Sequence, residues 1–192
     1  LEMRKLKTII INNLKGKRIL LLFILTNIVY IFMLTISIPK VMSFSNGLKL
    51  LDMMPTGYDS GYVNKLFEAL GDNGRTVYLY HQIPIDMIYP FLFGMSYCLV
   101  LAYFLNKLNK LKGAFFYLCL LPLVAGIFDY FENFGIIKML TDYPNYSLNL
   151  IKITNSFTVI KSIATTVYFL VLIIILILLG IKALASKKKV VE

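Results

Sequence analysis

Apolar residues in this chain occur in long runs, with little of the alternation that marks strands. One run covers 19–38 and carries no charge between Arg18 and Lys40. A second covers 83–106 and is uncharged from Met87 onward. A third, 113–137, is interrupted only by Asp129 and Glu132, and a fourth, about 159–181, is uncharged between Lys161 and Lys182. A helix crosses a bilayer with about 20 mostly apolar residues. The pattern therefore predicts an all-α integral membrane four-helix bundle, a single domain over 3–192, with spans at about 19–38, 76–106, 113–137 and 157–182. The first run exceeds the roughly 7–15 residues of a signal-peptide core. The Ser37-Ile38-Pro39-Lys40 that follows is a poor cleavage site, so the run is expected to remain as a span. Leu1 and Glu2, ahead of Met3, read as the remnant of a removed tag.

The connection between the first two spans is long, about 45 residues over 39–82. It carries its own helical signal. Asp59-Ser60 can cap a helix N-terminus, Val63, Leu66, Phe67 and Leu70 recur at helical spacing, and Gly71 suits a C-cap. The expectation is a short amphipathic helix on the outer face of the bundle or on lipid headgroups. A turn at Gly71-Asp72-Asn73-Gly74 would end it, with the second span starting near Arg75.

Composition narrows the class. With 58% hydrophobic and 16% charged residues and a mean hydropathy of +0.74, the chain has too little polar surface for a soluble globule and too little charge for disorder. Its net charge of +10 would suggest nucleic acid in a soluble protein, but no basic domain or finger spacing accompanies it. The charge reads instead as orientation. Thirteen of the 20 basic residues fall at one end of the spans: Arg4, Lys5, Lys7, Lys15, Lys17, Arg18, Lys107, Lys110, Lys112, Lys182 and Lys187–Lys189. The positive-inside rule then makes both termini cytoplasmic (N-in, C-in) and the long connection extracytoplasmic. The Ile, Lys and Asn content suits an AT-rich bacterial genome, hence a bacterial inner membrane. The Lys187–Lys189 tail reads as an anchor near anionic lipid.

Ionisable side chains inside spans cost about 2.5–3.5 kcal/mol on insertion scales and mark candidate sites. Asp86, Asp129, Glu132 and Lys161 are such residues. Counted from the cytoplasmic helix ends at about 1.5 Å per residue, they lie roughly 25–31 Å deep, in one layer near the outer edge of the hydrocarbon. Their helical phases agree. Asp129, Glu132 and Asn133 share a face; Tyr78, Gln82 and Asp86 step by four, with Arg75 three residues before. Thr154, Thr158, Lys161, Thr165 and Tyr168 form a stripe on the fourth helix, and Asn27, with Tyr30 and Ser37, faces them from the first. The candidate ligand-binding set is therefore Asp86, Asp129, Glu132, Asn133 and Lys161, with Arg75 and Gln82 at the rim of a mouth open to the outside, and with Tyr78 and, near mid-membrane, Asn27. Pro84 and Pro90 should kink the second helix around Asp86 and free carbonyls for other partners.

Other signals are weaker. His81 is the only histidine and reads as a polar interfacial side chain, so no metal site and no cofactor are expected. Cys98 and Cys119 lie inside spans and read as small buried hydrophobes. Tyr78, Tyr80, Tyr89, Tyr130 and Tyr143 suit an outer aromatic belt. No GxSxG, HExxH, Walker A or dinucleotide-binding glycine pattern occurs.

Several blocks occur together: Gly57-Tyr58, Leu66-Phe67-Glu68-Ala69-Leu70-Gly71, Gly74-Arg75, Asp86 with Pro90, and Asp129-Tyr130-Phe131-Glu132-Asn133 followed by Pro144. In these the chain resembles uncharacterised four-helix bacterial inner-membrane proteins, a resemblance that implies the fold and no activity. Membrane proteins of the sterol-isomerase and sigma-2-receptor type offer an analogy of architecture, since they too carry intramembrane acids facing a ligand cavity. Three functions fit the residues: binding of a small amphiphile or cationic headgroup, a membrane enzyme using a carboxyl pair as general acid and base, and a structural or partner subunit. Partners are thus the lipid bilayer and a lipid-like ligand, with an oligomer possible and no nucleic acid.

Overall fold

The computed structural model describes residues 2–191, with side chains over 5–185. Leu1 and the Lys187–Lys189 side chains lie outside the described residues. The described chain is all helical, without a strand. A short amphipathic helix, α1 (Glu2–Asn12), precedes four long ones: α2 (Gly16–Met42), α3 (Ser60–Lys107), α4 (Ala114–Asp142) and α5 (Leu148–Val191). All four are long and apolar enough to cross a membrane. Their outward faces are apolar as well: Leu20, Leu21, Ile24, Ile28, Ile173, Ile174 and Ile177 are exposed. Such a surface suits lipid tails rather than water.

α1 was not anticipated. Its Ile10 is buried against α3 near the chain-terminal end of the bundle. The basic residues around it masked an apolar stripe.

Two prolines shape the helices. A proline ring clashes with the carbonyl four residues earlier. In α2, Pro39 follows a π turn at Met33–Ser37; in α3, Pro84 follows a π turn at Tyr78–Gln82. Widening the turn relieves the clash. The two π turns lie side by side, and Ser37 Oγ donates to Gln82 Oε1 at 2.5 Å between them. Further on, α3 bends again between Ile83–Asp86 and Tyr89–Lys107.

The sequence pattern for the long connection holds at its start. Asp59 caps α3 by accepting from the Tyr62 N–H at 2.7 Å. Past Leu70 the structure departs from it. Only Gly71 leaves the helix, at φ 59°, and the chain resumes helical geometry directly into the second span. The four-residue turn is absent because one left-handed glycine is enough to redirect the axis. The amphipathic stretch packs on protein rather than on headgroups. Val63, Leu66, Phe67 and Leu70 are buried with Leu50, Leu51, Ile136, Met139 and Ile151 in one apolar cluster at the loop end. Tyr58, just before α3, is locked to α5 by its N–H donating to Asn155 Oδ1 at 2.7 Å.

A second apolar cluster fills the terminal half. Phe93, Tyr97 and Tyr168 pack in it ring against ring, with buried Cys98 and Cys119 among them. The four long helices are arranged in sequence order: α2 packs on α3, α3 on α4, and α4 on α5. Close approach of α3 and α4 depends on Gly126, where a Cβ would lie 2.7 Å from the Pro90 carbonyl oxygen. α2 and α5 do not pack along each other, which leaves a seam on one side of the bundle.

Candidate functional site

Between the two apolar clusters lies a polar layer. Order along each helix requires it. On α4, Ala125 belongs to the terminal cluster and Ile136 to the loop cluster, with Asp129, Glu132 and Asn133 between. On α5, Ile151 and Ala164 bracket Thr154, Thr158 and Lys161. On α3, Ile83 and Phe93 bracket Asp86.

Lys161 is the hub of this layer. Its Nζ pairs with Asp129 Oδ1 at 3.2 Å and with Glu132 Oε2. Glu132 is wholly buried, and its other oxygen accepts from Thr158 Oγ1 at 2.7 Å. Thr158 hydroxyl and Tyr58 hydroxyl lie 3.5 Å apart, joining the layer to the roof. Burial raises the Tyr58 phenol well above its ordinary range, so it stays protonated.

Asp86 is in a different position. It is 4% exposed, and its Oδ2 is buried with no hydrogen-bond partner among the described residues. Its place in the chain explains its geometry. Pro90 has no N–H for the Asp86 carbonyl four residues earlier, so that carbonyl is freed. Asn133 Nδ2 donates to it at 3.4 Å. The proline kinks thus free a carbonyl as the sequence pattern predicts, and the carboxyl stays unpaired.

A cavity of about 390 Å³ opens onto this layer. Asp86, Asp129 and Lys161 line it, together with Ala125 and Phe93 deeper in and Tyr30, Met33 and Leu34 on α2. Glu132 and Asn133 stand immediately behind the wall. Gln82 is buried in the π-turn contact with Ser37.

The polar layer has a fourth acid that spacing alone did not suggest. Asp52 sits on a 3-10 turn, Leu51–Met53, in the long connection, and lines the cavity with Met53 and Pro55. It is an electrostatic neighbour of Asp86, Asp129, Glu132 and Lys161. Tyr78 holds it there: this fully buried phenol donates to Asp52 Oδ1 at 2.9 Å. Tyr78 is therefore an internal clamp, not part of an interfacial belt. Tyr89 is also internal, stacked on Tyr30 with ring centroids 5.4 Å apart on the cavity wall. Replacing Tyr78 by Phe should destabilise the fold by about 1.5 kcal/mol, the value of a hydrogen bond to a charged group. Hydrogen exchange at the amides of 50–54 should accelerate in parallel, while those of α5 stay protected.

Asp86, Asp129 and Lys161 are the candidates that line the cavity; Glu132, Asn133, Gln82 and Tyr78 pack behind it, and two others stand away from it altogether. Arg75 stands apart, on the far side of the Gly71 break. Its Nη1 donates to the Phe67 carbonyl at 2.6 Å, its Nη2 pairs with Asp72, and its guanidinium lies 3.9 Å from the Tyr143 ring centre. It caps the broken helix and brings no positive charge to the acids. Asn27 lies in the terminal half, where it accepts from the Tyr97 hydroxyl at 3.2 Å and donates to the Phe23 carbonyl. The cluster thus holds four carboxyls against one ammonium.

The mouth also differs from the open outer mouth expected. α4 and α5 continue past the acids by about 15–20 Å toward the loop end, and the connection packs over them. The exposed members of the lining are Tyr30 and Leu34 on α2, Thr166 on α5 and Pro55 on the loop. The acids of α3 and α4 form the back wall, and the opening lies along the α2–α5 seam. Among the described residues, no group of three or more His, Cys, Asp or Glu side chains is arranged to hold a metal ion.

No family model, curated protein or solved structure matches the chain, so the reading of this cavity rests on its own residues.

Proposed function

We propose that the protein binds the cationic headgroup of a small amphiphile in this cavity, within a bacterial inner membrane and with both termini cytoplasmic. The observation that carries the reading is Asp86: a buried carboxyl facing a cavity, without a partner, beside a lysine already committed to two other acids. Buried polar groups are satisfied in most native structures, and an unsatisfied one calls for a ligand or another stated reason. The stacked Tyr30 and Tyr89 rings supply faces that favour a cation. The volume of about 390 Å³ lies near the lower end of the roughly 300–1,000 Å³ of small-molecule sites. The orientation is supported by the basic residues gathered at the terminal end.

The test is selectivity by head charge. With the protein in phosphatidylcholine nanodiscs, calorimetric titration should show saturable binding of dodecyltrimethylammonium. Dodecyl maltoside, with a neutral head on the same chain, should bind at least tenfold more weakly. Equal heats for the two detergents overturn the reading.

A further inference from the structure

The α2–α5 seam bears on which cations can reach Asp86. Resting on the reading above, we infer that the occupant is a single-chain amphiphile taken sideways from the lipid, its cation at Asp86 and its chain lying in the seam. We infer further that the acid surplus rejects headgroups in which an anion adjoins the cation.

Three observations lead there. First, the back wall carries the acids, while Leu34 and Thr166, on the two helices that do not pack together, form exposed lips. The route from Asp86 therefore runs laterally, at membrane depth, to an apolar exterior. Secondly, the loop end is largely covered, with Pro55 the one exposed loop residue of the lining. Leu50 and Leu51 are fully buried, and Asp52 is clamped by Tyr78, so an approach along the bundle axis meets packed side chains. Thirdly, the cavity holds a headgroup and the start of one chain, so the rest of the chain must lie outside it in the seam.

Charge then sets specificity. A bilayer offers phospholipids in great excess, and each carries a phosphate. Four carboxyls near one lysine repel that phosphate, and Lys161 is already paired to Asp129 and Glu132. Discrimination of this kind works through the unfavourable contact as much as through the favourable one. A lone ammonium on one chain enters without that penalty.

The chain contains no tryptophan, so a single introduced Trp reports cleanly. Leu34→Trp and Thr166→Trp place independent reporters on the two lips, and Phe131→Trp places one on an exposed position of α4 outside the cavity lining. Each variant is reconstituted in phosphatidylcholine brominated on its acyl chains, which quenches tryptophan in contact with lipid. Adding unbrominated dodecyltrimethylammonium should relieve at least half of the quenching at both lips and little at Phe131→Trp. Dodecylphosphocholine, the same chain and cation with an adjoining phosphate, should give no such relief. Saturable dodecyltrimethylammonium binding in calorimetry without relief at the lips overturns lateral seating and leaves headgroup binding intact. Relief of equal size with both detergents overturns the phosphate rejection. Absence of saturable binding overturns both readings together.

Discussion

Replacing Lys161 by Met should be the most destabilising single change in the polar layer, costing about 3–5 kcal/mol. The figure follows from what is left behind. Lys161 neutralises Asp129 and a wholly buried Glu132 at once, and among the described residues the other side-chain partner of Glu132 is the Thr158 hydroxyl. Removing the ammonium strands two carboxyls in a low-dielectric interior, beside Asp86 and Asp52. Removing an acid together with the ammonium is milder than removing the ammonium alone, because one stranded carboxyl, that of Asp129, remains instead of two. The Lys161→Met/Glu132→Gln double variant should therefore recover at least half of the loss. Equilibrium unfolding in mixed micelles, followed by far-ultraviolet circular dichroism, gives the comparison. If the double variant is as unstable as the single one, Lys161 stabilises through its packing and not through its charge.

Much of this architecture is readable from the chain because it rests on local rules. The four spans follow from run length, the Asp59 cap from side-chain chemistry, and the common depth of Asp86, Asp129, Glu132 and Lys161 from a fixed rise per residue. The structure does gather those four residues. What escaped depends on departures from those rules. A helical face counted at steps of four slips by about 100° for each extra residue in a turn. The π turn at Tyr78–Gln82 inserts such a residue between Arg75 and Asp86. Gly71 adds a second break, and Arg75 ends up serving the Phe67 carbonyl. Asp52 lay in a connection with no periodicity to orient it. The adjacent Leu50-Leu51 pair, fully buried, is the one trace of a loop that dips into the bundle. Asn27, expected near mid-membrane on the face of Tyr30, turns instead to Tyr97 and Phe23, partners that periodicity along one helix does not reveal. The open seam left no local trace, since hydrophobic patterning says which face is apolar and not which helix covers it.

Asp86 should behave oppositely to Lys161, and the contrast separates a binding residue from a structural one. No hydrogen bond to its side chain is lost when Asn replaces it, because its buried oxygen has no partner. The substitution also removes repulsion from Asp129, Asp52 and Glu132, all electrostatic neighbours of Asp86. Asp86→Asn should therefore leave the unliganded protein as stable as before, or more stable. Binding is the reverse case. Losing one side of a desolvated charge pair costs about 2–5 kcal/mol, equivalent to a fall in dodecyltrimethylammonium affinity of roughly 30-fold to 5,000-fold. Conservation of shape makes the substitution informative: Asn occupies the same volume and can still bond to its surroundings, so only the charge is tested. A protein kept near its stability optimum has no reason to bury an unpaired acid, whereas sites commonly retain such groups at a cost to the fold. Thermal unfolding and calorimetric titration on the same preparation decide the matter. A lowered melting temperature with unchanged affinity would make Asp86 a structural residue and remove the basis for a cation site.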